Sequence, residues 1–230
     1  MRLAALREQV LEANLALARS GLAPATFGNA SGVDRAAGLV AIKPSGVSYE
    51  RLTAAMLVLT DLDGVVVEGE LRPSSDLPTH LALYRAWPAI GGVAHAHSEY
   101  ATTWAQAGWP IPCLGTTHAD HYPGPVPITA WLTEAAIAAG YERETGAAIV
   151  QALEGMDPAE VPGALVRGHG PFCWGAHALA AAEEAVALER IARLAYQTLQ
   201  LEAAARPLER ALHEKHFRRK HGPSAYYGQP

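Results

Sequence analysis

The chain has 230 residues, half of them hydrophobic and 18% charged, with a formal net charge of −5, a balance that suits one globular domain spanning 1–230 and excludes a chain disordered throughout. The acidic surplus argues against a nucleic-acid partner, which would need a basic face. No apolar run nears the ~20 residues of a membrane span, and Met1 to Glu8 lacks the apolar stretch of a signal peptide, so no membrane partner and a cytoplasmic location are expected.

In chain order, Leu6, Val10, Leu11, Leu15 and Leu17 recur at helical spacing within Leu3 to Ser20, and the pattern stops at Gly21. Thr26 to Ser31, the turn at Asp34 to Gly38 and the strand Leu39 to Ile42 read as a hairpin. It runs into Lys43-Pro44-Ser45-Gly46, whose cation, hydroxyl and backbone N–H groups are the parts of an anion nest, and equally those of a plain turn. Met56 to Thr60 and Val65 to Glu68 flank Asp61-Leu62-Asp63-Gly64, a second hairpin signal. Pro78 to Trp87 has a proline start and helical period. Ser74 and Ser75 stand just before it, either as hydroxyls for an anion at the helix N-terminus or as simple caps.

Gly91 to His97 is an apolar run holding His95 and His97. In a strand, that two-residue step points both imidazoles to one face. A histidine on a strand is also an ordinary core residue, but the pair together suits a divalent ion. Asp76, closing the Pro73 to Pro78 loop, and His169, between two glycines after the strand-like Ala164 to Val166, are candidates for the remaining ligands. Spacing alone does not attach them to the pair in a chain with ten histidines. Three imidazoles and one carboxylate suit zinc first, with manganese or cobalt as alternatives, at roughly 2.0–2.2 Å per ligand. With an open position, such an ion is a Lewis acid.

Glu99 to Ala107 is a predicted helix, and Pro112 to Pro123 a loop dense in proton-carrying groups. Gly146 to Leu153 reads as a short helix, and Phe172 to Gly175 as a strand turning back after Gly168-His169-Gly170. Leu179 to Leu201 reads as a long amphipathic helix with an alanine-rich face. Cys113 and Cys173, far apart, predict packed reduced thiols. From Glu214 the tail turns basic and then aromatic. Paired tyrosines in a free tail would waste apolar area, so docking is expected.

Several of these pieces share order and spacing with one known group. They are Gly28-Asn29, Ile42-Lys43-Pro44-Ser45-Gly46-Val47, Pro73-Ser74-Ser75-Asp76 with Pro78-Thr79-His80, and His95-Ala96-His97-Ser98. Further along come Trp104 to Gly108, Gly115 to Asp120, His169-Gly170-Pro171-Phe172, and Arg219-Lys220-His221-Gly222 with Ala225 to Gln229. Over essentially its whole length the chain resembles the class II aldolase/adducin-type superfamily, on the side of the L-ribulose-5-phosphate 4-epimerases.

The resemblance implies a three-layer α/β/α sandwich with a central mixed sheet. It also implies a homo-oligomer, a tetramer, with sites at subunit interfaces where the tail, 214–230, docks. It puts one divalent ion per subunit on Asp76, His95, His97 and His169. The substrate phosphate falls on Gly28, Asn29, Ser45, Gly46, Ser74 and Ser75, with Lys43 beside them. Proton transfer falls to Asp120 and Tyr227, the tyrosine serving a neighbouring subunit. The implied reaction interconverts L-ribulose 5-phosphate and D-xylulose 5-phosphate by breaking and remaking C3–C4, within carbohydrate metabolism such as arabinose catabolism. The alternatives are a class II aldolase that releases its cleavage products and a non-catalytic sugar-phosphate binding module. The related aldolases usually carry Glu where this chain has Asp76, which favours the epimerase. Ala96 and Arg167-Gly168 depart from the group's pattern without touching a ligand.

Overall fold

The computed structural model describes residues 2–223 and 225–227. Gly228 and Gln229 of the tail motif lie outside the described residues, as do Ser224 and Pro230. The elements are α1 (Ala4–Arg19), β1 (Asn29–Asp34), β2 (Leu39–Ile42), a 3₁₀ turn (Ala54–Met56), β3 (Val58–Asp61), β4 (Val66–Glu68) and α2 (Leu77–Ala86). They continue with β5 (Gly92–His95), α3 (Glu99–Ala107), α4 (Thr116–Ala119), α5 (Glu134–Ala152), β6 (Gly163–Val166), β7 (Gly170–Gly175), α6 (Ala178–Leu201) and α7 (Arg210–Lys220). The second hairpin, the strand β6 and the helix α3 lie where turn chemistry and periodicity predict them, whereas the first hairpin turns as expected but its leading strand starts at Asn29 rather than Thr26, after Gly28 at φ 71.

One sheet holds all seven strands, in the order β4-β3-β2-β1-β5-β7-β6. Its ladders are antiparallel, and the parallel bridge between Ile128 and Leu165 makes the pairing mixed. Alternation along β1 shows the two covered faces. Ser31 Oγ meets His80 Nδ1 at 2.7 Å and Tyr84 Oη at 2.8 Å, both on α2. Its neighbour Gly32 faces the other way, where a Cβ would lie 2.9 Å from Val10 of α1. The sheet is thus sandwiched between α1, α3 and α6 on one side and α2 and α5 on the other, the three-layer α/β/α fold.

Close approach explains the composition of the α6 face. Ala178, Ala181, Ala182, Ala185, Ala192 and Ala195 are buried there with Leu188 and Ile191. At Gly92 any Cβ would sit 2.4 Å from Ala178 N, so only glycine lets the start of α6 reach the strand. Trp104 Nε1 donates to Ala192 O at 3.0 Å, tying α3 to α6. On the opposite face Trp174, Phe172, Tyr84 and Leu83 are buried, each worth about 1.5–3 kcal/mol of apolar transfer. Cys113 and Cys173 are free and buried, as expected.

Three local expectations need correction. The short helix expected at Gly146 to Leu153 is the second half of α5, which begins at Glu134 and breaks at Gly140 with φ 145. Its first half buries no side chain fully, so it carries no apolar stripe to read. The loop after Pro112 contains the single turn α4. The tail forms α7, which buries none of its residues and is held by polar contacts.

Candidate metal and anion site

β5 stops at His95, so His97 lies beyond the strand rather than within it. The ladder runs out there because the last pairs are Asn29 with His95 and His95 with Phe172, and Gly28 turns away at φ 71. Only glycine fits that turn, since a Cβ would lie 2.8 Å from His95 O. The two rings nevertheless meet, edge to face, with centroids 4.9 Å apart. His169, in the β6–β7 turn, completes the group. Its centroid is 4.8 Å from those of both His95 and His97, and its Nε2 lies 2.9 Å from His97 Nε2.

Each imidazole is oriented by a neighbour. His95 Nδ1 donates to Pro171 O at 2.8 Å, which leaves Nε2 as the lone-pair nitrogen, and the ring stacks on Phe172 at 4.1 Å. Burial pushes its pKa down to about 3, so it is neutral near pH 7. His97 stacks against Phe27, which is 60% exposed at the cavity edge. His169 Nδ1 pairs with Tyr141 Oη at 2.7 Å, and burial lowers its pKa too. Three imidazoles with ligand atoms all within 4.8 Å of one another are the donor set a borderline divalent ion requires.

Asp76, the fourth expected ligand, is not part of that cluster. It occupies the N-cap position of α2 and lines the same cavity, but its Oδ2 accepts from Asn29 Nδ2 at 2.6 Å. Burial alone would raise its pKa, but His95, His80, the Asn29 hydrogen bond and His169 outweigh it, so the carboxylate is held below its usual range. An anionic Asp76 beside three clustered imidazoles fits a dication.

The cavity, about 430 Å³, continues from the histidines to Thr26, Phe27, Gly28, Asn29, Lys43, Pro44, Ser45, Gly46, Ser74 and Ser75, so every expected anion-binding residue lines it. Lys43 is 1% exposed. Its Nζ donates to Thr26 O at 3.3 Å and Pro44 O at 3.5 Å and sits over the Tyr49 ring at 4.9 Å. Burial lowers its pKa. A cation buried against carbonyls and a ring is short of negative charge, which a phosphate would supply. Asn29 Oδ1 is likewise buried without a partner among the described residues. Part of the expected nest is already committed: Ser45 N donates to Arg72 O, Ser74 N to Lys43 O, and Ser74 Oγ accepts from Asp76 N. Ser45, Gly46 and Ser75 remain exposed at the rim.

Asp120 and Tyr227, the expected proton-transfer pair, do not line this cavity within one chain. The Asp120 carboxylate accepts from Arg219 Nε at 2.9 Å, Arg219 Nη2 at 2.6 Å and His216 Nδ1 at 3.0 Å. Burial would raise its pKa, but those two hydrogen-bonding partners and the charges of Arg219 and Lys220 hold it below the usual range. The Tyr227 ring lies 4.8 Å from both Arg219 Cζ and Lys220 Nζ and is 60% exposed. Arg219 thus joins the two residues to each other rather than to the histidines. His213 Nε2 donating to Tyr122 O and His221 Nε2 donating to Asp120 O complete the contacts that hold α7 against its own chain.

Tyr141 and Glu142 also line the cavity and were not anticipated. They follow the break at Gly140, where neither periodicity nor a motif marks them.

Residues 8–196 match the family described as the class II aldolase and adducin N-terminal domain. The chain is 50% identical over 224 residues to L-ribulose-5-phosphate 4-epimerase UlaF of Salmonella paratyphi B, covering 97% of this chain and 98% of that protein. Among solved structures, it is similar to an L-fuculose 1-phosphate aldolase, with TM-score 0.79 and 26% identity over 92% of this chain and 94% of that one. The l-fuculose-1-phosphate aldolase of Thermus thermophilus gives TM-score 0.69 and 26% identity over 89% and 100% of the two chains.

Proposed function

Because the chain belongs to the class II aldolase and adducin N-terminal domain family, we propose that it is a metal-dependent L-ribulose-5-phosphate 4-epimerase, an isomerase that yields D-xylulose 5-phosphate. One observation carries the reading: three clustered imidazoles share one cavity with a buried lysine whose partners among the described residues are carbonyls and a ring, which suits a metal and a phosphate together. Identity of 50% to a protein named as this epimerase supports the epimerase over the aldolase.

In this reading His95, His97, His169 and Asp76 hold one divalent ion, zinc by donor type. When bound, the ion supplies Lewis-acid polarisation of substrate oxygens. Lys43, Asn29, Gly28, Ser45, Gly46, Ser74 and Ser75 receive the phosphate. A base takes the proton from the C4 hydroxyl, the C3–C4 bond breaks, and its electron pair stays on the dihydroxyacetone fragment. The aldehyde of glycolaldehyde phosphate presents its other face, C3 adds back, and a proton returns to the C4 oxygen. Two proton carriers, one for each face, suit this sequence, and Asp120 and Tyr227 take those roles.

Neither residue reaches the cavity of its own chain, so the same reading includes an assembly in which α4 and α7 of one subunit face the cavity of the next. The assembly is a homotetramer, and the reading also includes a cytoplasmic location and a place in sugar catabolism such as that of arabinose. Incubation of the metal-loaded protein with L-ribulose 5-phosphate tests it. D-xylulose 5-phosphate is the expected product. Accumulation of free glycolaldehyde phosphate and dihydroxyacetone would make the protein an aldolase, and binding without turnover a sugar-phosphate binding module.

A further inference from the structure

His169 occupies a turn between Gly168, at φ 73, and Gly170. The turn's backbone is held by Gly168 N donating to Ala105 O at 2.9 Å and His169 N donating to Val166 O at 3.0 Å, so the side-chain torsions are what is left to fix, and contacts of the ring itself set where the imidazole points. One such contact comes from a distant element. At Gly140 (φ 145, ψ 89) α5 breaks its helical path. The residue after the break, Tyr141, brings its ring nearly parallel to that of His169, at 17° with centroids 5.9 Å apart. Its phenol oxygen lies 2.7 Å from His169 Nδ1. The far side of the break is anchored as well, since Thr145 Oγ1 donates to Tyr141 O at 2.8 Å.

From this geometry we propose that Tyr141 is a positioning residue, which fixes the ring plane and tautomer of His169 and so sets how tightly the site holds its divalent ion. The proposal rests on the metal reading above. For Nε2, the nitrogen facing His97, to serve as a ligand, Nδ1 must carry the proton, and the Tyr141 oxygen is placed to accept it. The phenol's own hydrogen is then free to donate into the cavity that Tyr141 lines. His95 obtains the same service from the Pro171 carbonyl. His169, on a glycine-flanked turn, obtains it from a side chain, and a side chain can be removed by substitution without disturbing the backbone.

The test uses the full chain as wild type, Tyr141→Phe and His97→Asn. Each is titrated with Zn²⁺ against a competing chelator and with Co²⁺ followed by its visible absorption bands. Wild type is expected to bind one ion. Tyr141→Phe is expected to bind about 10- to 100-fold more weakly. Its Co²⁺ bands should shift and its metal-free melting temperature should be unchanged, a combination that general loss of structure would not give. Wild-type affinity and unchanged bands in Tyr141→Phe, with binding lost in His97→Asn, would overturn the role of Tyr141 and leave the metal site standing. Failure of the wild type itself to bind would overturn the metal reading and this inference with it.

Discussion

His97 and His169, 72 positions apart in the chain, meet Nε2 to Nε2 at 2.9 Å. Two imidazole nitrogens at that distance need a hydrogen between them, so one ring must adopt its other tautomer before both Nε2 lone pairs face an ion. Protons compete with the ion for the same nitrogens, so loading is expected to weaken as pH falls, which metal titration at successive pH values would show.

Replacing His97 by asparagine removes one of three converging nitrogens and leaves Phe27 and the sheet in place. His97→Asn should lose most of its bound metal and turnover while keeping the wild-type circular dichroism spectrum. Metal analysis beside an activity assay checks this, and full activity after exhaustive chelation would falsify the metal requirement.

Lys43 has opposite effects on stability and binding. Its burial penalises the charged form, so the folded protein holds that proton less tightly than the unfolded chain. Stability therefore rises with pH across the window between the lowered value and the ordinary 10.5. Lys43→Met should melt no lower than wild type in the absence of ligand. It should also lose about 1.5–3 kcal/mol of phosphate binding, roughly tenfold to a hundredfold in KM. Unchanged KM would remove Lys43 from the phosphate site.

His118 is buried, with Nε2 donating to Gly124 O at 2.8 Å, and burial pushes its pKa down to about 4 from 6.5. A folded value below the unfolded one means that the unfolded chain takes up more protons between those limits. Stability is thus present above about pH 6.5 and is lost as pH falls towards 4, by about 3 kcal/mol from this group at most. His118→Gln, whose amide can replace the Nε2 donor, should flatten that part of the stability curve in denaturant melts at successive pH values. An identical curve would exclude the effect.

Tyr227 lies off the cavity of its own chain, which makes subunit mixing informative. Tyr227→Phe should cut turnover about 10²- to 10⁴-fold with little loss of metal. If the site is shared between subunits, mixing it with the inactive His97→Asn protein should restore some activity, because some interfaces would pair an intact metal site with an intact tyrosine. Mixed oligomers that form and stay inactive would place Tyr227 outside the neighbour's chemistry.

Much of the molecule was legible because its signals are local. Glu99–Ala107 carries a helical period closed by Gly108, Asp63-Gly64 marks a hairpin, and the alanines of α6 announce a close-packed face. The histidine pair and the lysine, serine and asparagine positions of the cavity could be read from residue type and motif. The tertiary structure decided which of them meet. The strand order β1-β5-β7-β6 sets the β6–β7 turn beside the end of β5, which no spacing between positions 97 and 169 encodes. It turned the Asp76 carboxylate to Asn29, 47 positions away, and gave Asp120 to Arg219, 99 positions away. Tyr141 stayed hidden because the half-helix before it buries nothing, and its role exists only where a kinked backbone meets a turn from another part of the sheet. Periodicity and turn chemistry follow from neighbours a few residues apart, whereas the partner of a polar side chain is set by which distant elements the core brings together.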